Sequence, residues 1–206
     1  MAIKPILFNT EMVRAILDGR KTCTRRVVKH NTEKVLDSPY HMEHSEMEDA
    51  WLIRRLCRAP YEPGDILYVR ETWCDLPVNK AGHMRGHSIY YYKADGDLRP
   101  EGWRGNWRPS IHMPKEAARI WLNVTDVRVE RLQNITEDGA KAEGANWKNG
   151  KNVGWEEKMQ RTAIERFAKI WDFTIKKSDL DRYGWNANPW VWAIEFERCE
   201  KPEVVK

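Results

Sequence analysis

An α+β fold, in which strands dominate and helices cover the openings, follows from three features of the sequence. Arg119 to Leu132 alternates as one long strand would, with Ile120, Leu122, Val124, Val127 and Val129 as its apolar positions. Ile66 to Thr72 is a short apolar run behind a turn, the pattern of a buried strand. Glu156 to Trp171 instead carries Ile164, Phe167, Ala168 and Trp171 at helical spacing, so one amphipathic helix is expected there.

In chain order, Ile3 to Phe8 reads as a short strand. Asn9-Thr10 then supplies a capping residue for a helix whose face carries Met12, Ile16 and Leu17 and whose stop is Gly19. The polar stretch of about 29–50 reads as a long loop or insertion. Trp51 to Cys57 reads as extended, and Tyr61-Glu62-Pro63-Gly64-Asp65 is a turn by its own chemistry. A second insertion, about 75–110, holds many Gly and Pro residues around Ile89 to Tyr92 and is expected to contain a hairpin and a Trp/Arg-rich loop. Thr136 to Glu143 has helix propensity, with Glu137 and Asp138 near its start. Trp190 to Phe196 is the closing strand. A single domain over 1–206 is the expectation for a chain of this length.

Composition limits the partners. Hydrophobic residues make up 41% and charged residues 32%, an ordinary globular balance. The net charge of +4, from 35 basic and 31 acidic residues, does not demand a polyanion, although it leaves room for a local basic patch. Eleven Trp is a high count, and most are expected to fill the core rather than stack on bases. The four cysteines, Cys23, Cys57, Cys74 and Cys199, form no C-x-x-C pair. No apolar stretch is long enough to span a bilayer, and the N-terminus lacks a signal-peptide core. A cytoplasmic protein with reduced thiols, no membrane association, no metal and no cofactor is the resulting expectation.

The densest chemistry lies in Ile16 to Arg26, where an apolar helix end and Gly19 lead into Arg20, Lys21, Thr22, Cys23, Thr24, Arg25 and Arg26. Lys21 and Thr24 are three apart. A regular strand sends such residues to opposite faces, so if they act together the segment must bend.

This string resembles the opening motif of the ASCH domain, a member of the PUA-like superfamily of small β-barrels. The likeness continues in Tyr61 to Trp73, in Ile135 to Gly144 and in Pro189 to Glu197, four blocks in family order. With Trp107 to Pro114 the chain is similar to the longer ASCH-like proteins carried by bacteriophages and prophages. The resemblance implies a PUA-like small mixed β-barrel with flanking helices and two insertions. It also implies the activity of small bacterial ASCH proteins, removal of the acyl group from N4-acetylcytidine. The family's catalytic Lys, Thr and Glu fall on Lys21, Thr24 and Glu143 by motif.

The chemistry of such a set is coherent. A Thr hydroxyl needs an adjacent base. Lys21 serves as that base if burial or the cations Arg20, Arg25 and Arg26 lower its pKa. Glu143 then passes the proton to the leaving cytosine amine or orients Lys21. A close Glu143 also raises the Lys21 pKa, so a water nucleophile with Glu143 as base stands beside the first scheme. Glu71, in an apolar strand, is expected to pair with Arg26 or Lys21 in a structural or pocket-wall role, because buried carboxylates need partners. Trp73, on the same face, either stacks on a base or packs in the core. Trp103, Arg104, Trp107 and Arg108 interleave aromatics with cations, as a lid loop or as a nucleobase and phosphate clamp. His41 with His44, and His83 with His87, could in principle ligate a metal, but no Cys or Asp/Glu cluster completes a site, so they are read as exposed loop histidines. Cys23 is the one thiol beside the motif.

Three functional readings follow. The first is an amidohydrolase acting on N4-acylated cytidine or a related modified nucleoside. The second is a non-catalytic RNA- or nucleotide-binding module. The third is a phage accessory protein that engages a host protein through its Trp-rich loops. Sequence leaves the oligomeric state open.

Overall fold

Helix and strand mix as the patterning predicts. A computed structural model describes residues 1–29, 32–39, 41, 48–76, 89–99, 105–145 and 162–203. In chain order its main elements are β1 (Ile3–Leu7), α1 (Thr10–Leu17), β2 (Cys23–Val27), α2 (Thr32–Leu36) and α3 (Asp49–Leu56). β3 (Ile66–Arg70), β4 (Trp73–Leu76), β5 (Ile89–Tyr92) and β6 (Trp121–Arg131) follow. The chain ends on α4 (Glu137–Ala142), α5 (Ala163–Thr174), α6 (Leu180–Tyr183) and β7 (Trp190–Cys199). The described residues divide into two compact units.

The first unit comprises Met1–Gly19, Gly64–Asn123 and the stretch beginning at Glu197. Here β1 runs parallel to β3, from Ile3 beside Ile66 to Leu7 beside Arg70, and β3 pairs antiparallel with the start of β6. Parallel neighbours need a crossover, and α1 begins it. The Asn9 side chain accepts from the Met12 N–H, Val13 and Ile16 are buried, and Gly19 at φ 72° ends the helix in the left-handed conformation that glycine adopts freely. β4 and β5 form the expected hairpin, with Trp73 beside Tyr92. Trp73, Met113, Ala117, Ala118 and Trp121 form the local core.

The second unit comprises Arg20–Pro63 and Val124–Phe196. β2 lies antiparallel to β7, with Cys23 opposite Glu195 and Val27 opposite Val191. α4 and α5 pack Ala140, Ala163, Phe167 and Trp171 against Leu132, Ile135 and Val191. Both helices are capped by a threonine: Thr136 accepts from the Gly139 N–H and Thr162 from the Glu165 N–H. α5 occupies the second half of the amphipathic run; 156–161 lie outside the described residues.

Several expectations change. Trp51 to Cys57 is helical, not extended. Leu52 and Ile53 are adjacent and both fully buried, which one side of a helix permits and a strand would split between faces. Asp49 in the first turn and Arg54 and Arg55 in the last suit the helix dipole. The loop expected over 29–50 contains α2 and the start of α3, and only parts of the 75–110 insertion are described. Within the first unit β1, β3 and the start of β6 are paired, and within the second β2 and β7; no pairing among the described residues of either unit closes the expected barrel. Trp73, Trp121, Trp171, Trp190 and Trp192 are buried, as a core role requires. No helix among the described residues is long and apolar enough to cross a membrane.

Candidate functional site

The end of α4 meets the residues leading into β2. The Thr22 N–H donates to the Ala142 carbonyl at 2.8 Å, and Lys21 and Glu143 form an isolated antiparallel bridge. Glu143 is the residue that caps α4, and Gly144 at φ 87° turns the chain away behind it. This backbone register brings together two side chains that are 122 residues apart.

Lys21 is fully buried, and its ammonium has three acceptors. Nζ donates to Glu143 Oε2 at 2.6 Å, to the Glu143 carbonyl at 3.0 Å and to the Cys23 carbonyl at 2.7 Å. The contact with the Glu143 carbonyl also satisfies the end of α4, where a cation is favourable. Burial pulls the Lys21 pKa below its ordinary 10.5, while the Glu143 carboxylate opposes that shift and the Arg26 charge adds to it.

Arg25 clamps Glu143 from the other side. Its Nη1 lies 3.2 Å from Glu143 Oε1, its Nε and Nη2 reach Glu130 Oε1 at 2.8 and 2.7 Å, and its guanidinium stands over the Phe167 ring. Glu130 also receives Arg128 at 3.2 Å, and Arg128 makes a further short ion pair with Glu195. Gly139 leaves room for this arrangement, since a Cβ there would stand 3.3 Å from Arg25 Nη2. Arg25 is thus a buried member of an ion-pair network rather than an open substrate contact.

Thr24 lies on the alternate face. β2 is a regular strand from Cys23 onward, so Cys23 and Arg25 accompany Lys21 toward Glu143 while Thr24 pairs with Arg26. Arg26 Nη1 donates to Thr24 Oγ1 at 3.0 Å and to the Arg25 carbonyl at 3.2 Å. The Arg26 charge acts on Lys21, and the Glu143 carboxylate acts on Arg26, so the two faces are coupled electrostatically. The bend that would join Lys21 directly to Thr24 is absent from β2. Arg20 is half-buried just before this cluster.

Burial raises the Cys23 thiol to about 12, and the Glu143 carboxylate adds to the effect. The reactivity that sequence position suggested is therefore suppressed. With iodoacetamide at pH 8, the folded protein is expected to label Cys23 about a thousandfold more slowly than the denatured chain, as a shift of three units implies. Peptide mapping reads this directly; labelling within tenfold of the denatured rate contradicts it.

Glu71, Trp73, Trp107 and Arg108 belong to the first unit. Glu71 is 1% exposed and pairs with Arg119 through two hydrogen bonds, 2.9 and 3.1 Å, in place of the expected Lys21 or Arg26. Arg119 also binds Asp95 and lies 4.0 Å from the centre of the Tyr92 ring. Trp73 is core: it is 3% exposed, set edge-on to Tyr90 and covered by Arg108, which also pairs with Asp75. Arg99, not a base, stacks over half-buried Trp107. Trp103, Arg104, His44, His83 and His87 lie outside the described residues. His41 Nε2 is 3.2 Å from the Asp49 carboxylate. Among the described residues no group of three or more His, Cys, Asp or Glu is placed to hold a metal ion.

Sequence reasoning missed Glu130 and Arg128. Their positions on one face of β6 are a local signal, but nothing in the sequence ties that face to Arg25.

Among solved structures, the chain is similar to the high-resolution crystal structure of an ASCH domain from Lactobacillus crispatus JV V101. The match has a TM-score of 0.40 and 12% identity, and covers 96% of this chain and 79% of that one. No protein-family model matches the chain. No curated protein matches it either.

Proposed function

We propose that this protein is an amidohydrolase that removes the acyl group from N4-acetylcytidine or a related N4-acylated cytidine. The observation that carries the reading is the buried Lys21–Glu143 contact at 2.6 Å. Its support from sequence is the motif resemblance that singles out Lys21, Thr24 and Glu143.

Burial favours a neutral amine on Lys21, whereas its three acceptors favour the ammonium. Lys21 Nζ and Glu143 Oε2 are within hydrogen-bond distance of each other, the reach needed for proton transfer. Such a pair can take a proton from an attacking hydroxyl and return it to a leaving amine. In the reaction, a hydroxyl oxygen attacks the acyl carbonyl carbon and its proton passes to the pair. The C–N4 bond then breaks as the pair protonates N4. Where water attacks, its oxygen and remaining proton become the hydroxyl of the released acid; where Thr24 attacks, a water then cleaves the acyl–Oγ ester, giving the acid its second oxygen and returning a proton to Thr24.

The attacking hydroxyl is either water, which can lie beside the pair, or Thr24 Oγ, which sits on the other face of β2 and needs a bridging water to pass its proton there. Thr24 is oriented by Arg26, whose positive charge favours developing negative charge on the oxygen. A water attacking beside Glu143 needs no covalent intermediate.

Hydrolysis of N4-acetylcytidine to cytidine, followed by chromatography, tests the assignment. The wild type is expected to turn over, and Lys21→Ala to lose about 10²–10⁴-fold, the usual contribution of a positioned acid–base group. If Thr24 is the nucleophile, Thr24→Ala is inert and an acylated Thr24 peptide is detectable in the wild type. If water attacks, Thr24→Ala retains turnover. A wild type inert toward N4-acetylcytidine and a panel of other acylated cytidines overturns the proposal.

A further inference from the structure

A second cation-lined feature lies within the second unit, built from residues that the acyl chemistry does not use. A partly open cavity of about 160 Å³ is lined by Val28 after β2, Thr32 and Glu33 of α2, Arg131 at the end of β6, Arg182 and Tyr183 of α6, and Trp190 at the start of β7. A space of this size accommodates one ring-sized or tetrahedral group.

One guanidinium is held in place from behind, and the other lies against a neighbouring ring at the exposed side. Arg131 lies 4.4 Å from the centre of the Trp190 ring and donates to the Asn188 carbonyl at 3.2 Å. Asn188 is itself fixed: it adopts the left-handed conformation at φ 46°, and its side chain accepts from the Gln133 N–H at 2.8 Å. Arg182 stacks on Tyr183, whose carbonyl accepts from the Trp171 indole at 2.8 Å. Behind it, a Cβ on Gly184 would stand 2.6 Å from the Leu180 carbonyl, so the chain closes tightly at that point. Among the described residues, neither Arg131 nor Arg182 forms an ion pair with a carboxylate. The lining has one carboxylate, Glu33, against two arginines, and it adds the Thr32 and Tyr183 hydroxyls. The Trp190 indole N–H is buried without an acceptor among the described residues.

We infer that this cavity is a phosphate-binding site, taking a phosphoryl group that is free, carried by a nucleotide or part of an RNA strand. Preset guanidinium groups match phosphate oxygens in geometry and charge. An anion there receives the donors that the described protein leaves unused. The inference is independent of the amide chemistry, because N4-acetylcytidine carries no phosphate.

The test measures binding of inorganic phosphate, cytidine 5′-monophosphate, cytidine and a short single-stranded oligoribonucleotide to the full chain, by calorimetry and thermal shift. At least one phosphate-bearing probe is expected to bind, and cytidine monophosphate to bind about tenfold more tightly than cytidine if nucleotides are the source. Arg182→Gln removes an exposed side chain and is expected to weaken the phosphate-bearing probes about tenfold. It also lowers the salt slope of RNA binding by about 0.7 for each phosphate that the side chain no longer neutralises. Hydrolysis of N4-acetylcytidine stays unchanged in that variant, which separates this inference from the catalytic one. Arg131→Gln provides a second, independent weakening. The inference fails if no phosphate-bearing probe binds, or if binding is equal in the wild type and both variants.

Discussion

Glu143→Ala is expected to destabilise the protein by about 3–5 kcal/mol, the usual cost of removing one partner from a buried ion pair. The carboxylate holds two cations, Lys21 and Arg25, whose side chains are 0% and 2% exposed, so its removal leaves charge in a dry interior. At ~2–4 °C per kcal/mol for a chain of this size, the melting temperature falls by roughly 6–20 °C.

The loss is also pH-dependent, with a definite sign. Glu143 is the main influence that raises the Lys21 pKa, so without it the folded value drops further below 10.5. Between the folded and unfolded values the unfolded chain binds the extra proton, and stability therefore rises with pH. The deficit of Glu143→Ala should shrink as pH rises toward 10.5. The Cys23 thiol sets the upper limit of that comparison: its value rises from 9 to about 12 on folding, so it withdraws stability above pH 9. Denaturant melts at three pH values check the trend; a deficit that grows toward pH 9 contradicts the electrostatic account.

Arg119→Ala is the second large effect, and its pH dependence has the opposite sign. Glu71 is buried, and burial raises its carboxyl pKa while Arg119 holds it down through hydrogen bonds and charge. Removing Arg119 strands a carboxylate at 1% exposure and also ends the stacking on Tyr92. The cost is about 2–4 kcal/mol at pH 8, below the fully buried case because Arg119 is partly solvated. Without Arg119 the folded carboxyl rises further above its ordinary 4.5, and the folded state keeps a proton that the unfolded chain has lost. Stability then falls as pH rises, so the variant is closer to wild type at pH 5 than at pH 8. Glu71→Gln in the same background should recover part of the loss at pH 8, since the amide carries no charge to strand.

These two networks show where sequence reading reaches and where it stops. The cap at Asn9 and the stop at Gly19 were legible because each acts within a few residues of itself. β6 and β7 were legible from their alternation and apolar content. α3 was not, because Trp51 to Cys57 is short and its apolar residues suit either period; tertiary burial of Leu52 and Ile53 together decided for helix. Pairings across long separations carried no local signal. Arg119 replaced the expected partner of Glu71, and Glu130 reached Arg25 from 105 residues away. The motif brought Lys21, Thr24 and Glu143 to notice, yet strand alternation set Thr24 with Arg26 instead of Lys21, a result that depends on β2 remaining regular from Cys23.

The most direct test of the central claim is kcat/KM for N4-acetylcytidine in the double variant Lys21→Met, Glu143→Leu. Replacing both members of a buried pair with apolar groups of similar volume is often neutral or stabilising, and Arg25 keeps Glu130 as its partner, so the double variant should melt above Glu143→Ala. If the pair moves the proton, the double variant is folded and loses turnover by about 10²–10⁴-fold. A folded double variant that hydrolyses N4-acetylcytidine at the wild-type rate would show that Lys21 and Glu143 only hold the structure together.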